Sequence, residues 1–221
     1  FGNKATAAKR GCSGVSCMMA PETRNRFHGR YLVGVLHMDL PSFPVLATPR
    51  LGLRALNMVD VPALFRMRSD PRVMHHIPKP LFFKSDEAVG LLRDFQRAYE
   101  AREAIMWAIT VKGSAAACGI VGYWRIMAEH HRAEIGYFLD PDLWGQGLMT
   151  EAVKAVLDFG FGAMGLHSVE AATHPANISS MHVLEQNGFV REGYFKENIR
   201  ANGEFVDSVV YSRLEPRQGK I

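Results

Sequence analysis

"LDPDLWGQGLMTEAV", residues 139–153, puts an acidic turn, a tryptophan, two glycines two apart and a helix-like tail into one short stretch. It continues the alternating run RAEIGYFL (132–139), so a strand ends at Leu139, turns through Asp140 and Pro141, and enters a helix at the glycines. Such a junction gathers unpaired backbone N–H groups, and a helix N-terminus attracts phosphate through those donors and its dipole. Gly145 and Gly147 let the backbone approach a ligand closely, where a side chain would push a pyrophosphate away. The nucleotide motifs are not met: the Walker lysine is absent, and Thr150 stands where G-x-G-x-x-G has its third glycine. By spacing alone, a tight turn before a core helix explains the glycines as well as a phosphate site does.

Outward from this junction the elements alternate. Upstream, RLGLRAL (50–56) reads as a strand, and MVDVPALFRMRSD as a helix with Asp60 as N-cap and Pro62 in its first turn. Ser85 is expected to cap a second helix running to Arg102, with Leu91, Leu92, Phe95 and Tyr99 at core spacing. Three strands with short connections follow, at 105–111, 118–126 and 132–139. Beyond the glycines come a helix from Leu148 to Met164, a strand at 168–173 and a shorter helix from Ile178 to Asn187. Two last strands flank ANGE, where Asn202 and Gly203 signal a hairpin. The order is mixed α/β, with a central βαβ unit whose crossover helix begins at the glycines.

Composition narrows the class. The 221 residues are 48% hydrophobic, enough for a substantial core. The net charge of +4 is unevenly placed: residues 1–37 carry six basic residues against Glu22, leaving 20 basic and 21 acidic residues in the rest. The expected organisation is a basic leader over 1–42, one domain over 43–215 and a tail over 216–221. Met38 opens the regular pattern, so residues 1–37 read as the product of over-extended translation, with an organellar targeting peptide as the alternative. Cys12 and Cys17 lie in the leader and Cys118 in the body, which provides neither a disulfide framework nor a four-ligand metal cluster. A reducing, cytoplasmic setting without membrane association is the default.

The pair AEIGYFLDPDLWGQGLMTEAV and HPANISSMHVLEQNGFVREG resembles the GCN5-related N-acetyltransferases (GNAT), in particular the RimJ/RimL-like ribosomal-protein N-terminal acetyltransferase group. FPVLATPRLGLRAL and LFRMRSDPRVM resemble that group's first strand and helix, so the similarity spans residues 43–214. It implies the GNAT fold of the α/β (α+β) class: a mixed, mostly antiparallel, splayed sheet of about seven strands with about four helices. It also implies acetyl-CoA as co-substrate and an amine acceptor, preferentially a protein N-terminus. The family's phosphate loop falls on Trp144, Gly145, Gln146, Gly147, Leu148 and Met149, with Met149 where Gly or Ala is usual. Backbone N–H groups from Gly145 to Thr150 would then hold the pyrophosphate. Phe138 and Leu139 would line the pantetheine arm and offer an N–H to the thioester carbonyl. Asn177 would bond the pantetheine and Ser180 would sit near the sulfur; read alone, they are a helix N-cap and a tolerated small residue. Leu184 occupies the position where many family members carry a proton-donating tyrosine, which leaves Ser180 as the donor.

For the acceptor amine, Glu134 is the leading general base, with a solvated strand glutamate or a salt bridge to Arg132 as the bland reading. Glu197 and Tyr194 are reserves. His130, His131, His167, His174 and His182 lack the H-E-x-x-H spacing and read as solvated or structural, so no metal is expected. Trp107, Trp124 and Phe138 read as strand core rather than a base-stacking platform, and nucleic acid is not expected as a partner. Cys118 reads as a buried small hydrophobe, so amine attack on the thioester is direct. Acceptor selection is expected in residues 70–100 and the last hairpin. The rivals are a small-amine acetyltransferase and a non-catalytic coenzyme A sensor; the protein is expected as a monomer or homodimer.

Overall fold

The computed structural model describes residues 36–38, 42–201 and 203–216, all within the unit running from Gly34 to Ile221. Most of the expected leader, along with Asn202 and most of the tail, lies outside the described residues. Leu36 and Met38 pack against the core, and the His37 N–H donates to Met164 O at 2.8 Å.

Eight strands form one sheet: β1 (Leu46–Ala47), β2 (Leu51–Ala55), β3 (Ile105–Val111), β4 (Ala117–Met127), β5 (Arg132–Leu139), β6 (Ser168–Thr173), β7 (Val190–Ala201) and β8 (Glu204–Leu214). The strand beyond the seven anticipated is the two-residue β1, too short to show a period. The order is β1-β2-β3-β4-β5-β6-β8-β7, antiparallel throughout except for the β5–β6 pair. The helices are α1 (Val61–Ser69), α2 (Pro71–Met74), α3 (Ser85–Glu100), α4 (Leu148–Phe159) and α5 (Ile178–Gln186). The expected helix to Met164 changes geometry at Gly160, where a π-helical turn completes it.

Both sheet faces are covered, so β3 is apolar along nearly its whole length rather than alternating. Ile105, Trp107 and Ile109 join the cluster built with Val153, Val156 and Leu157 of α4. Met106 and Ala108 meet Leu64 of α1 and Ala88 and Leu92 of α3 on the opposite face. The helix starts depart from the simple capping pattern. Asp60 makes no cap bond to α1; it is buried and held by Nη1 and Nη2 of Arg54 at 2.8 Å each, and it accepts the Asn57 N–H at 2.9 Å. Ser85 is already helical, and the start of α3 is tied instead by Glu87, whose Oε2 accepts the N–H groups of Phe83 and Lys84 at 2.7 Å each.

Candidate active site

β5 and β6 pair only at Arg132 with Ser168, Ala133 with Val169 and Glu134 with Glu170. Beyond Glu134 they diverge, and a cavity of about 610 Å³ is lined by residues of β5, α4, α5 and the segment after α2. The α4 N-terminus forms one wall. Gly145 and Gly147 sit in the left-handed region at φ 74° and 71°, and α4 has no side-chain cap, so its first-turn N–H groups are presented to the cavity. A Cβ on Gly145 would meet nothing within 4 Å: the space beside the loop is open to a ligand. This arrangement fits a pyrophosphate.

Of the residues expected to hold the cofactor, Phe138, Leu139, Trp144, Gly145, Gly147, Leu148, Met149, Thr150, Asn177 and Ser180 line the cavity. Gln146 does not; its carbonyl accepts from Arg50 Nη1 at 2.8 Å, fixing the loop from behind. Trp144 Nε1 donates to Leu139 O at 2.9 Å, whereas the Asp140 N–H crosses to Cys118 O at 2.8 Å on β4. Backbone groups alternate along a strand, so the Leu139 N–H, rather than that of Phe138, is directed into the gap left by β6.

On the opposite wall, Asn177 Oδ1 accepts the Ser180 N–H at 3.1 Å, so Asn177 is the α5 N-cap. The Tyr137 hydroxyl reaches Ser180 Oγ at 3.0 Å, and burial pushes its pKa up to about 12, opposed by the hydrogen bond it shares with Ser180. Sequence reasoning missed Tyr137. Its only signal was the period-two register with Ile135 and Leu139, which puts all three on the α4 face.

Glu134 lies on the other sheet face and is not among the cavity-lining residues. Its Oε2 pairs with Arg125 Nη2 at 2.8 Å, not with Arg132, which pairs with Glu170. A β-bulge between Tyr123 and Arg125 brings both Trp124 and Arg125 to this carboxylate, although neighbours on a regular strand face opposite ways. Trp124 is therefore 49% exposed over Gly136 rather than in the core. Burial raises the Glu134 pKa; Glu170 adds to the rise, and Arg125 and Trp124 oppose it.

Of the reserve bases, Tyr194 bonds Asp207, and Glu197 takes a left-handed φ of 48° while its N–H donates to Asp207 at 2.7 Å. His75 and His76, which sequence reading passed over, line the cavity, as does His182. His76 stacks on His174 with ring centroids 5.3 Å apart; burial lowers its pKa, helped by the imidazoles of His75 and His174. Cys118 is buried, and burial raises its pKa. Among the described residues no three His, Cys, Asp or Glu side chains converge as a metal set, and no helix is long and apolar enough to cross a membrane.

The acetyltransferase (GNAT) domain model matches residues 50–190. The uncharacterized N-acetyltransferase YoaA of Bacillus subtilis (strain 168) is 31% identical over 176 residues, covering 80% of this chain and 99% of YoaA. The crystal structure of a ribosomal-protein-S5-alanine acetyltransferase from Vibrio fischeri superposes with a TM-score of 0.70 at 26% identity, covering 80% of this chain and 99% of its own. RimL, a ribosomal alpha-N-protein acetyltransferase solved in complex with coenzyme A, shares the fold with a TM-score of 0.71 at 22% identity, over 77% of this chain and 98% of its own. The splayed sheet, the glycine turn into an uncapped helix and the domain match agree: this chain belongs to the GNAT acetyltransferase family and is an N-acetyltransferase.

Proposed function

We propose that the protein transfers the acetyl group of acetyl-CoA to a primary amine by direct attack, with a protein or peptide N-terminus as the acceptor. The observation that carries this is the uncapped first turn of α4 on one wall of the cleft, facing Asn177 and Ser180 on the other. Acetyl-CoA supplies the activated acyl group. The N–H groups of Gly145 and Gly147 to Thr150 bind its pyrophosphate, and Gln146 holds the turn through its carbonyl. Asn177, with Oδ1 engaged by its own helix, keeps Nδ2 for the pantetheine. The Leu139 N–H faces the thioester carbonyl, and Ser180 gives a proton to the sulfur.

Glu134 accepts the proton of the amine through water, since its side chain lies outside the cavity lining. A peptide α-amine with a pKa of about 8 needs little help, whereas a lysine at about 10.4 costs roughly 3.3 kcal/mol more to deprotonate. Likeness to the Vibrio fischeri enzyme supports a protein acceptor. A cytoplasmic setting suits the free, buried Cys118.

The test is acetyl-CoA-dependent thiol release by the full chain with a panel of N-terminal peptides and, in parallel, a pool of small amines. Release with peptides supports the proposal. Release with small amines alone replaces the acceptor class. Tight acetyl-CoA binding without release in either arm overturns the proposed acceptor and points to a coenzyme A sensor or to an acceptor outside both panels.

A further inference from the structure

We propose that Tyr137 is a positioning residue for the transfer step, holding Ser180 so that its hydroxyl proton points at the departing sulfur. The proposal rests on reading the cleft as the acetyl-CoA site. Ser180 is fixed at two points: its N–H by Asn177 Oδ1 at 3.1 Å, and its Oγ by the Tyr137 hydroxyl at 3.0 Å. The phenol lies 3.0 Å from Ser180 Oγ and 3.3 Å from Ser180 O, and on this proposal it donates across the shorter contact. Ser180 must then direct its own O–H away from Tyr137, and both residues line the cavity. One turn further along α5, Leu184 is fully buried, so the second hydroxyl comes from β5 rather than from the helix that carries Ser180.

The atoms balance. As the C–N bond forms and the C–S bond breaks, Ser180 Oγ–H gives its proton to the sulfur that keeps the electron pair. Tyr137, the stronger acid of the two hydroxyls, passes its proton to Oγ and is reprotonated by water. The amine proton leaves through Glu134 to water, so one proton enters the site for each that departs. A phenol on Oγ spares Ser180 from standing as a bare alkoxide in a low-dielectric cleft.

The experiment compares wild type, Tyr137→Phe, Ser180→Ala, Ser180→Thr and the Tyr137→Phe/Ser180→Ala double variant. Calorimetry should show acetyl-CoA binding unchanged in all of them, which also certifies the fold. In each of Tyr137→Phe and Ser180→Ala, kcat should fall roughly ten- to a hundredfold with KM for acetyl-CoA unmoved, and Ser180→Thr should recover part of the loss. The double variant should be no slower than Ser180→Ala, because Tyr137 acts through Ser180. Independently of turnover, the ultraviolet phenolate titration present in wild type and missing from Tyr137→Phe should move to higher pH in Ser180→Ala. Multiplicative losses in the double variant, a Tyr137→Phe effect on KM alone, or an unmoved titration overturns the proposal. A wild type that releases no thiol with any amine brings down the transferase reading itself, and this role for Tyr137 with it.

Discussion

Thr48 Oγ1 donates to Glu151 Oε1 at 2.5 Å, joining the turn after β1 to the first turn of α4 across 103 residues of sequence. The same carboxylate accepts the Arg50 N–H at 2.9 Å and Arg50 Nε at 2.6 Å, and Arg50 in turn holds the Gln146 carbonyl. The glycine loop is thereby anchored to the β1–β2 edge of the sheet.

Glu151→Ala should destabilise the protein by about 1–3 kcal/mol, since it strands the Arg50 N–H and leaves Thr48 only its bonds to Leu51, with a discount for the half-exposed Arg50 side chain. Burial alone would raise the Glu151 pKa, but the bonds from Thr48 and Arg50 outweigh it and the net shift is downward from 4.5. Its stabilisation is therefore complete above pH 4.5 and disappears as pH falls through the lowered value. Urea denaturation of both proteins across the acid range should show the gap closing at low pH. A gap independent of pH would refute the assignment.

Glu134→Gln should reduce kcat/KM while leaving acetyl-CoA affinity unchanged. In wild type the acid limb of the pH profile should lie above the ordinary carboxylate range, because burial raises this group from 4.5. Arg125→Ala removes an opposing charge and should push that limb higher still. The stability sign is the reverse of Glu151: Glu134→Gln gains on wild type as pH rises through the raised pKa, where the buried carboxylate ionises. Unchanged turnover in Glu134→Gln would remove Glu134 as the base.

Asn177→Ala should lower stability by about 1 kcal/mol through loss of the α5 cap, and weaken acetyl-CoA binding through loss of Nδ2. Asn177→Asp keeps the capping oxygen and loses the donor. Calorimetry and thermal melts on the pair separate the two effects: stability near that of wild type with weakened binding is expected for Asn177→Asp. Full affinity in that variant would confine Asn177 to its capping role.

Gly147→Ala forces a side chain into φ 71°, at a strain of about 1–2 kcal/mol. The added Cβ would lie 3.7 Å from Arg50 Nη2, an ordinary contact, so backbone strain rather than a clash causes the loss. Acetyl-CoA affinity should drop along with the melting temperature. A drop in melting temperature alone would show that the loop geometry does not matter to the ligand.

Most of the architecture was legible because the hydrophobic period changes sharply between elements: the β5 sequence alternates from Arg132 to Tyr137, α4 buries an adjacent pair every four residues, and β3 is nearly all apolar. What was hidden depends on contacts distant in sequence. Asp60 looked like a cap because Pro62 follows it, but Arg54 on β2 claims its carboxylate. Trp124 looked like core because it sits in an apolar run, and the bulge that turns it outward leaves no mark in composition. The glycine loop was readable as one contiguous segment, whereas the Tyr137–Ser180 contact spans 43 positions and two elements.

The β5–β6 seam also has a mechanical meaning. Three residue pairs join the two halves of the sheet there, whereas β4 and β5 are paired along eight. Apart from the two-residue edge strand β1, which pairs with β2 at two positions, no junction in the sheet is shorter, so the seam is where the two halves can flex as a hinge with few bonds at risk. The amides that β5 and β6 turn toward each other across the seam should exchange with deuterium ahead of those shared by β3 and β4. A ligand that spans the cleft from α4 to α5 would act as a rivet across the hinge and slow exchange on both sides, including at strand residues it never touches.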